Sequence, residues 1–197
     1  MAVNADNVLG FGSDDDSLYL GPYDAALATK VKGLTTAIPV ALEDCGWMSE
    51  DGVKLTLDDS VTKIKGHQGH GVVRTFMDSS ETALEATLLE SRLITVTRYL
   101  NATTEKIQEQ IDGKQTDVAK LTAKAQRKVS LLSGVLDLYD TASTENVVRL
   151  RVVFPRLELG ERGEIPFKVG ELTAYPYKLN VTGDFVVYSN ATAMLPA

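Results

Sequence analysis

Val53-Lys-Leu-Thr-Leu57, Asp58-Asp59-Ser60, Val61-Thr-Lys-Ile-Lys65, Gly66-His-Gln-Gly-His-Gly71 and Val72-Val-Arg-Thr-Phe-Met77 follow one another without a break, and their reading decides the fold. Val53–Leu57 alternates apolar and polar side chains, as a strand with one wet face must. Asp58, Asp59 and Ser60 are turn formers, so Val61–Lys65 reads as a return strand. The next six residues hold three glycines, Gly66, Gly69 and Gly71, together with His67, Gln68 and His70. No regular element fits there, and Val72–Met77 is β-rich again. The Ile38–Met77 region is therefore expected to hold an extended hairpin whose tip is Asp58–Ser60 or Gly66–Gly71. A glycine-rich tip loses much entropy on ordering, so it is expected to be mobile alone and fixed by a partner.

Downstream, Glu81–Glu90 supports two readings. Thr82-x-x-Glu85 fits a capping box before a helix, while Thr82, Leu84, Ala86 and Leu88 alternate like a strand. Ser91–Leu100 is the end of that strand or a short helix. Thr104–Ile111 and Asp117–Val129 read as helices, the second with Val118, Leu121, Ala125 and Val129 on one stripe. Lys120, Lys124, Arg127 and Lys128 lie off that stripe, on a face that suits an acidic partner surface or solvent. After Ser130, Leu136–Tyr139, Val147–Phe154, Arg156–Leu159, Ile165–Val169, Leu172–Val181 and Phe185–Tyr188 read as strands between turn signals. Pro176 needs a strand start, an edge or a bulge. The class is mainly β with one or two helices (α+β), a β-rich domain over 34–197 with a helical or irregular insert at about 101–130.

Residues 1–33 read as an N-terminal arm, either loose or ordered on a neighbouring subunit. Leu18, Tyr19, Leu20 and Tyr23 are more apolar than a solvated tail needs.

The chain has 197 residues, enough to bury about 70% of its extended surface without metals or disulfides. Its single cysteine, Cys45, forbids an intrachain disulfide and any Cys-x-x-Cys zinc set. The net charge is −7, and residues 1–60 carry 11 acidic against 3 basic residues. A basic nucleic-acid surface is thus not expected, nor retention of double-stranded DNA at physiological salt. Charges interrupt every apolar run, and Lys30 is the first cation, so neither a membrane span nor a secretory start is expected.

Sequence chemistry points to no catalytic, cofactor or metal site. A Walker loop, a Gly-x-Ser-x-Gly elbow and a His-Glu-x-x-His helix are absent. His67 and His70 lack a third ligand nearby. Cys45 follows Glu43 and Asp44, which oppose a thiolate. Trp47, the only tryptophan, is read as a core or interface anchor, with sugar stacking as the alternative. A carboxylate pair assembled by the fold would make a hydrolase.

Gly46-Trp47-Met48-Ser49-Glu50-Asp51-Gly52-Val53, the hairpin region, Val73-Arg74 and a Glu81–Glu90 segment ending Leu88-Leu89-Glu90 resemble the N-terminal half of major tail tube proteins of long-tailed bacteriophages. Val148-Arg149-Leu-Arg-Val-Val-Phe-Pro155-Arg, Leu172-Thr-Ala-Tyr-Pro176 and the Asp184-Phe185 strand are similar to that family's closing strands. The resemblance implies a β-sandwich or partly closed barrel flanked by a helix, and a structural, non-enzymatic role without cofactor. It implies hexameric rings stacked into a hollow virion tail tube, assembled in the host cytoplasm around a tape-measure protein and bounded by terminator and tip proteins. DNA would transit it without specific binding. The expected inter-subunit contacts are the hairpin residues Asp58, Asp59, Ser60 and Gly66–Gly71, and Leu18, Tyr19 and Tyr23 of the arm. A small monomeric binding module, for example for carbohydrate, is the alternative.

Overall fold

The computed structural model describes residues 7–67, 69–141 and 147–196. In chain order the elements are β1 (Ser17–Pro22), α1 (Leu27–Lys30), β2 (Glu43–Asp44), β3 (Met48–Lys65), β4 (Val72–Leu88) and α2 (Leu93–Leu100). There follow β5 (Ala102–Ile111), β6 (Lys114–Ala123), β7 (Ser130–Asp140), β8 (Val148–Arg162), β9 (Tyr175–Val181) and β10 (Val186–Ser189). The fold is mainly β with two helices, and every strand pair is antiparallel.

The main sheet runs β2-β1-β7-β8-β9-β4-β3, with β10 beside the first half of β8. Its two ends are consecutive in the chain. Asp44 pairs with Tyr19 of β1, and Met48 pairs with Leu88 of β4. Between them the Cys45 N–H donates to the Leu18 carbonyl and the Leu89 N–H to the Trp47 carbonyl, each at 2.8 Å. Residues 43–48 are thereby stitched to both margins, and the sheet rolls into a partly closed barrel.

Alternation along the strands separates two cores. Leu18, Leu20, Leu84, Leu136, Phe154 and Leu179 face the main core, which Tyr99 of α2 enters. The Tyr177 hydroxyl donates to the Thr95 carbonyl at 2.7 Å and the Tyr99 hydroxyl to that of Gly163 at 2.9 Å, fixing α2 against the sheet. On the opposite face α1 packs Leu27 and Val31 over Val135 and Val153. The left-handed Asn101, at φ 51°, ends α2 and turns the chain into β5.

Several expectations are corrected. The 1–33 stretch is not an arm over its described part: β1 lies between β2 and β7, and Leu18, Leu20, Leu27 and Val31 are buried. Their apolar character reflects the protein's own core. Asp58, Asp59 and Ser60 make no turn but pair with Glu81, Ser80 and Ser79 inside β3. Val61–Lys65 continues that strand, because cross-strand pairing overrides a short turn-prone triplet. Thr104–Ile111 and Asp117–Val129 are not helices. Residues 102–123 form the β5–β6 hairpin, with Ile107 opposite Val118.

Of the open alternatives, Glu81–Leu88 is strand and Leu93–Leu100 is helix. Ile165–Val169 is not a strand; residues 163–174 form a connection outside the sheets. Val147–Phe154 and Arg156–Leu159 merge into β8, since Pro155 sits where the β7–β8 register shifts and no partner needs its missing N–H. Pro176 occupies the start of β9.

Candidate assembly surfaces

Past Leu57 and Thr82, β3 and β4 leave the barrel. The pairing of β4 with β9 ends at Thr82, so Asp58–Lys65 and Val72–Glu81 form a two-stranded ribbon with no third strand among the described residues. Eight residues of β3 carry it about 27 Å outward. The Gly66 N–H closes the tip by donating to the Gly71 carbonyl at 2.9 Å, and Gly69 and His70 take positive φ there. Apolar side chains remain exposed along it: Leu57 at 64%, Met77 at 60% and Val73 at 73%. Leu57 and Val61 share one face with Met77, which pairs with Val61, whereas Ile64, its partner Arg74 and Phe76 lie on the other, the Arg74 guanidinium 4.8 Å above the Phe76 ring.

A second free ribbon is β5–β6. Asp112 and Gly113, with φ of 51° and 76°, make the two-residue turn that matches strand twist. Lys120–Glu105 and Lys106–Asp117 ion pairs and a Gln115–Gln108 hydrogen bond line its faces. These are solvent-screened contacts of small net worth. The 163–174 connection adds Phe167, Val169 and Leu172, all strongly exposed.

The third surface is a cleft of about 770 Å³ where residues 44–53 cross the end of β4 and residues 11–17. Trp47 stands over it, 73% exposed, its backbone N–H donating to Glu90 Oε1 at 3.0 Å. Six carboxylates line it, from Asp14, Asp16, Asp44, Glu50, Asp51 and Glu90, against one guanidinium, Arg92. Asp16 receives the Gly12 and Tyr139 N–H groups on its two oxygens, and burial nonetheless pushes its pKa up. Glu90 is held down, first by the Trp47 N–H and then by Arg92. Both acids thus have both oxygens engaged in holding loops together.

The residues expected from sequence divide accordingly. Gly66, His67, Gly69, His70 and Gly71 are at the ribbon tip, and Gln68 lies outside the described residues. Asp58, Asp59 and Ser60 are exposed on the ribbon shaft rather than at its tip. Leu18 is in the core, Tyr19 packs half-buried against the second core, and Tyr23 is 44% exposed. Trp47 is not a core residue. Cys45 is buried, and its thiol is pushed up to about 12, by burial first. Lys120 is paired on β6, while Lys124, Arg127 and Lys128 lie exposed in the linker to β7.

Sequence reading missed β5–β6 and the apolar connection. Asp112-Gly113 between two β-branched runs was the available hairpin signal. Ile165, Phe167 and Val169 mimic a strand in alternation, and only their lack of a partner strand distinguishes them. No family model matches the chain, and no curated protein matches it.

Proposed function

We propose that the chain is a structural virion subunit that self-assembles into stacked hexameric rings, forming the hollow tail tube of a long-tailed phage through which DNA passes. One observation carries the proposal: the free chain keeps far more surface than its mass requires. Its accessible area is 13,335 Å², against about 9,000 Å² for a compact monomer of 21.3 kDa. Two ribbons, each without a third strand among the described residues, contribute to the excess. Such ribbons are marginally stable in water and gain stability when other chains cover them. The exposed Leu57, Val73 and Met77 on one of them suit that role. The tape-measure, terminator and tip proteins are the further partners in this reading, and the role is non-enzymatic.

Light scattering on a sizing column and negative-stain microscopy test it. Rings or tubes are the expected result, and uniform particles of about 21 kDa at all concentrations would overturn it. The exposed Trp47 over its acidic cleft favours a second reading, a monomeric carbohydrate-binding module. Monomeric protein whose glycan binding is lost in Trp47→Ala would decide for that alternative.

A further inference from the structure

Two surfaces of this chain carry unspent charge of opposite sign. In the Trp47 cleft, Asp14, Glu50 and Asp51 are exposed and make no hydrogen bond or ion pair with side chains among the described residues. In the β6–β7 linker, Lys124, Arg127 and Lys128 are exposed and make no ion pair either. Three carboxylates and three cations are thus exposed without an ion pair among the described residues, Asp51 lying also beside a hollow lined by Lys54 and Lys178. No ion pair joins the two sets within one chain among the described residues. The linker enters β7 at Ser130, eight residues from the cleft residue Leu138, about 26 Å along the strand.

We infer that the Trp47 cleft of one copy receives the Lys124–Lys128 linker of a second copy, with Arg127 on the indole face and the lysines among the carboxylates. The inference rests on the self-assembly reading and names the surfaces that carry it. Trp47 is suited to the task because its backbone is pinned to Glu90 while its ring is 73% exposed, and no cation of the described residues lies over it. A guanidinium over an indole flanked by carboxylates combines stacking with ion pairing, which Arg does better than Lys. The contact joins two different surfaces of the chain, so repeated head to tail it gives closed rings or open stacks, whereas reciprocal exchange between two copies would give a two-fold dimer.

Trp47 is the only tryptophan, so its emission reports on the cleft directly. The experiment follows the full chain by light scattering and tryptophan fluorescence at low and high salt. Lys124→Glu/Arg127→Glu/Lys128→Glu, and separately Asp14→Lys/Glu50→Lys/Asp51→Lys, should each raise the concentration needed for assembly about ten-fold or more at low salt. Circular dichroism should show both variants folded. Mixing the two should restore assembly, because the reversed linker of one fits the reversed cleft of the other. Arg127→Lys should weaken assembly less than the triple reversals, and wild-type emission should shift on assembly. If wild type never assembles, this inference falls together with the self-assembly reading. If wild type assembles, but both reversals assemble as well as it does and Trp47 emission stays constant, this inference alone is overturned. The same holds if a Lys/Arg-rich peptide shifts the emission while assembly does not, since the occupant is then another protein.

Discussion

Arg151 grips Asp137 with two hydrogen bonds, Nε to Oδ1 and Nη2 to Oδ2, each 2.6 Å, and both side chains are buried. The remaining Nη1 donates to the Thr36 and Gly33 carbonyls, at 2.6 and 3.0 Å. One guanidinium therefore ties β7 and β8 to the loop that follows α1. Removing either partner strands a buried charge. Asp137→Ala or Arg151→Ala is expected to cost about 3–5 kcal/mol in urea unfolding. The pair Asp137→Leu/Arg151→Met should cost less than either single change, since no unpaired charge remains.

Cys45 supplies a pH test. Its thiol is pushed from an ordinary 9.0 up to about 12, chiefly by burial, so the folded state keeps it protonated. The unfolded chain ionises from about pH 9, so the thiol's contribution to stability is full below that pH. It is lost progressively as pH rises towards 12. Cys45→Ala should flatten the alkaline limb of the stability profile. Native protein at pH 8 should resist a thiol reagent that labels it rapidly in denaturant.

Gly46 and Gly52 both hold positive φ, 78° and 66°, yet their surroundings differ. A Cβ on Gly46 would lie 2.3 Å from the Glu90 carboxyl carbon, whereas one on Gly52 meets open space. Gly46→Ala must displace the carboxylate that receives the Trp47 N–H. It should cost about 2–3 kcal/mol, against about 1 kcal/mol for Gly52→Ala, in thermal or urea unfolding.

The ribbon should be dispensable for folding and needed for assembly. Leu57→Ser/Met77→Ser replaces two exposed side chains, so monomer stability should move by less than about 0.5 kcal/mol. Assembly of that variant, and of one lacking residues 67–70, should be impaired in microscopy. Tubes of normal length from both would count against the role given to the ribbon.

The β5–β6 ribbon should unfold independently of the barrel. Gly113→Val forces a β-branched residue to φ 76° in the two-residue turn. Amide exchange should quicken across 102–123 while the melting temperature shifts by less than about 2 °C.

The mainly β class, the long hairpin around Gly66–Gly71 and a Cys45 thiol that resists ionisation were legible in sequence. They rest on local signals: alternation in Val53–Leu57 and Val72–Met77, a glycine cluster, and a thiol flanked by acids rather than cations, although burial is the larger cause of the thiol's shift. What escaped was every feature fixed by a distant partner. Asp58–Ser60 looks like a turn until Glu81, Ser80 and Ser79 pair with it. Leu18 and Leu20 look like an adhesive arm until β7 lies beside them. The stripe Val118, Leu121, Ala125 and Val129 satisfies a helical period, but Val118 and Leu121 face Ile107 and Thr104 across a hairpin. The Trp47 cleft is likewise tertiary: Asp14, Trp47, Glu90 and Leu138 are separated by tens of residues and meet because residues 43–48 join both margins of one sheet. Residue type and spacing determine which segments can be strands, whereas closure of the barrel decides which side chains are left facing solvent.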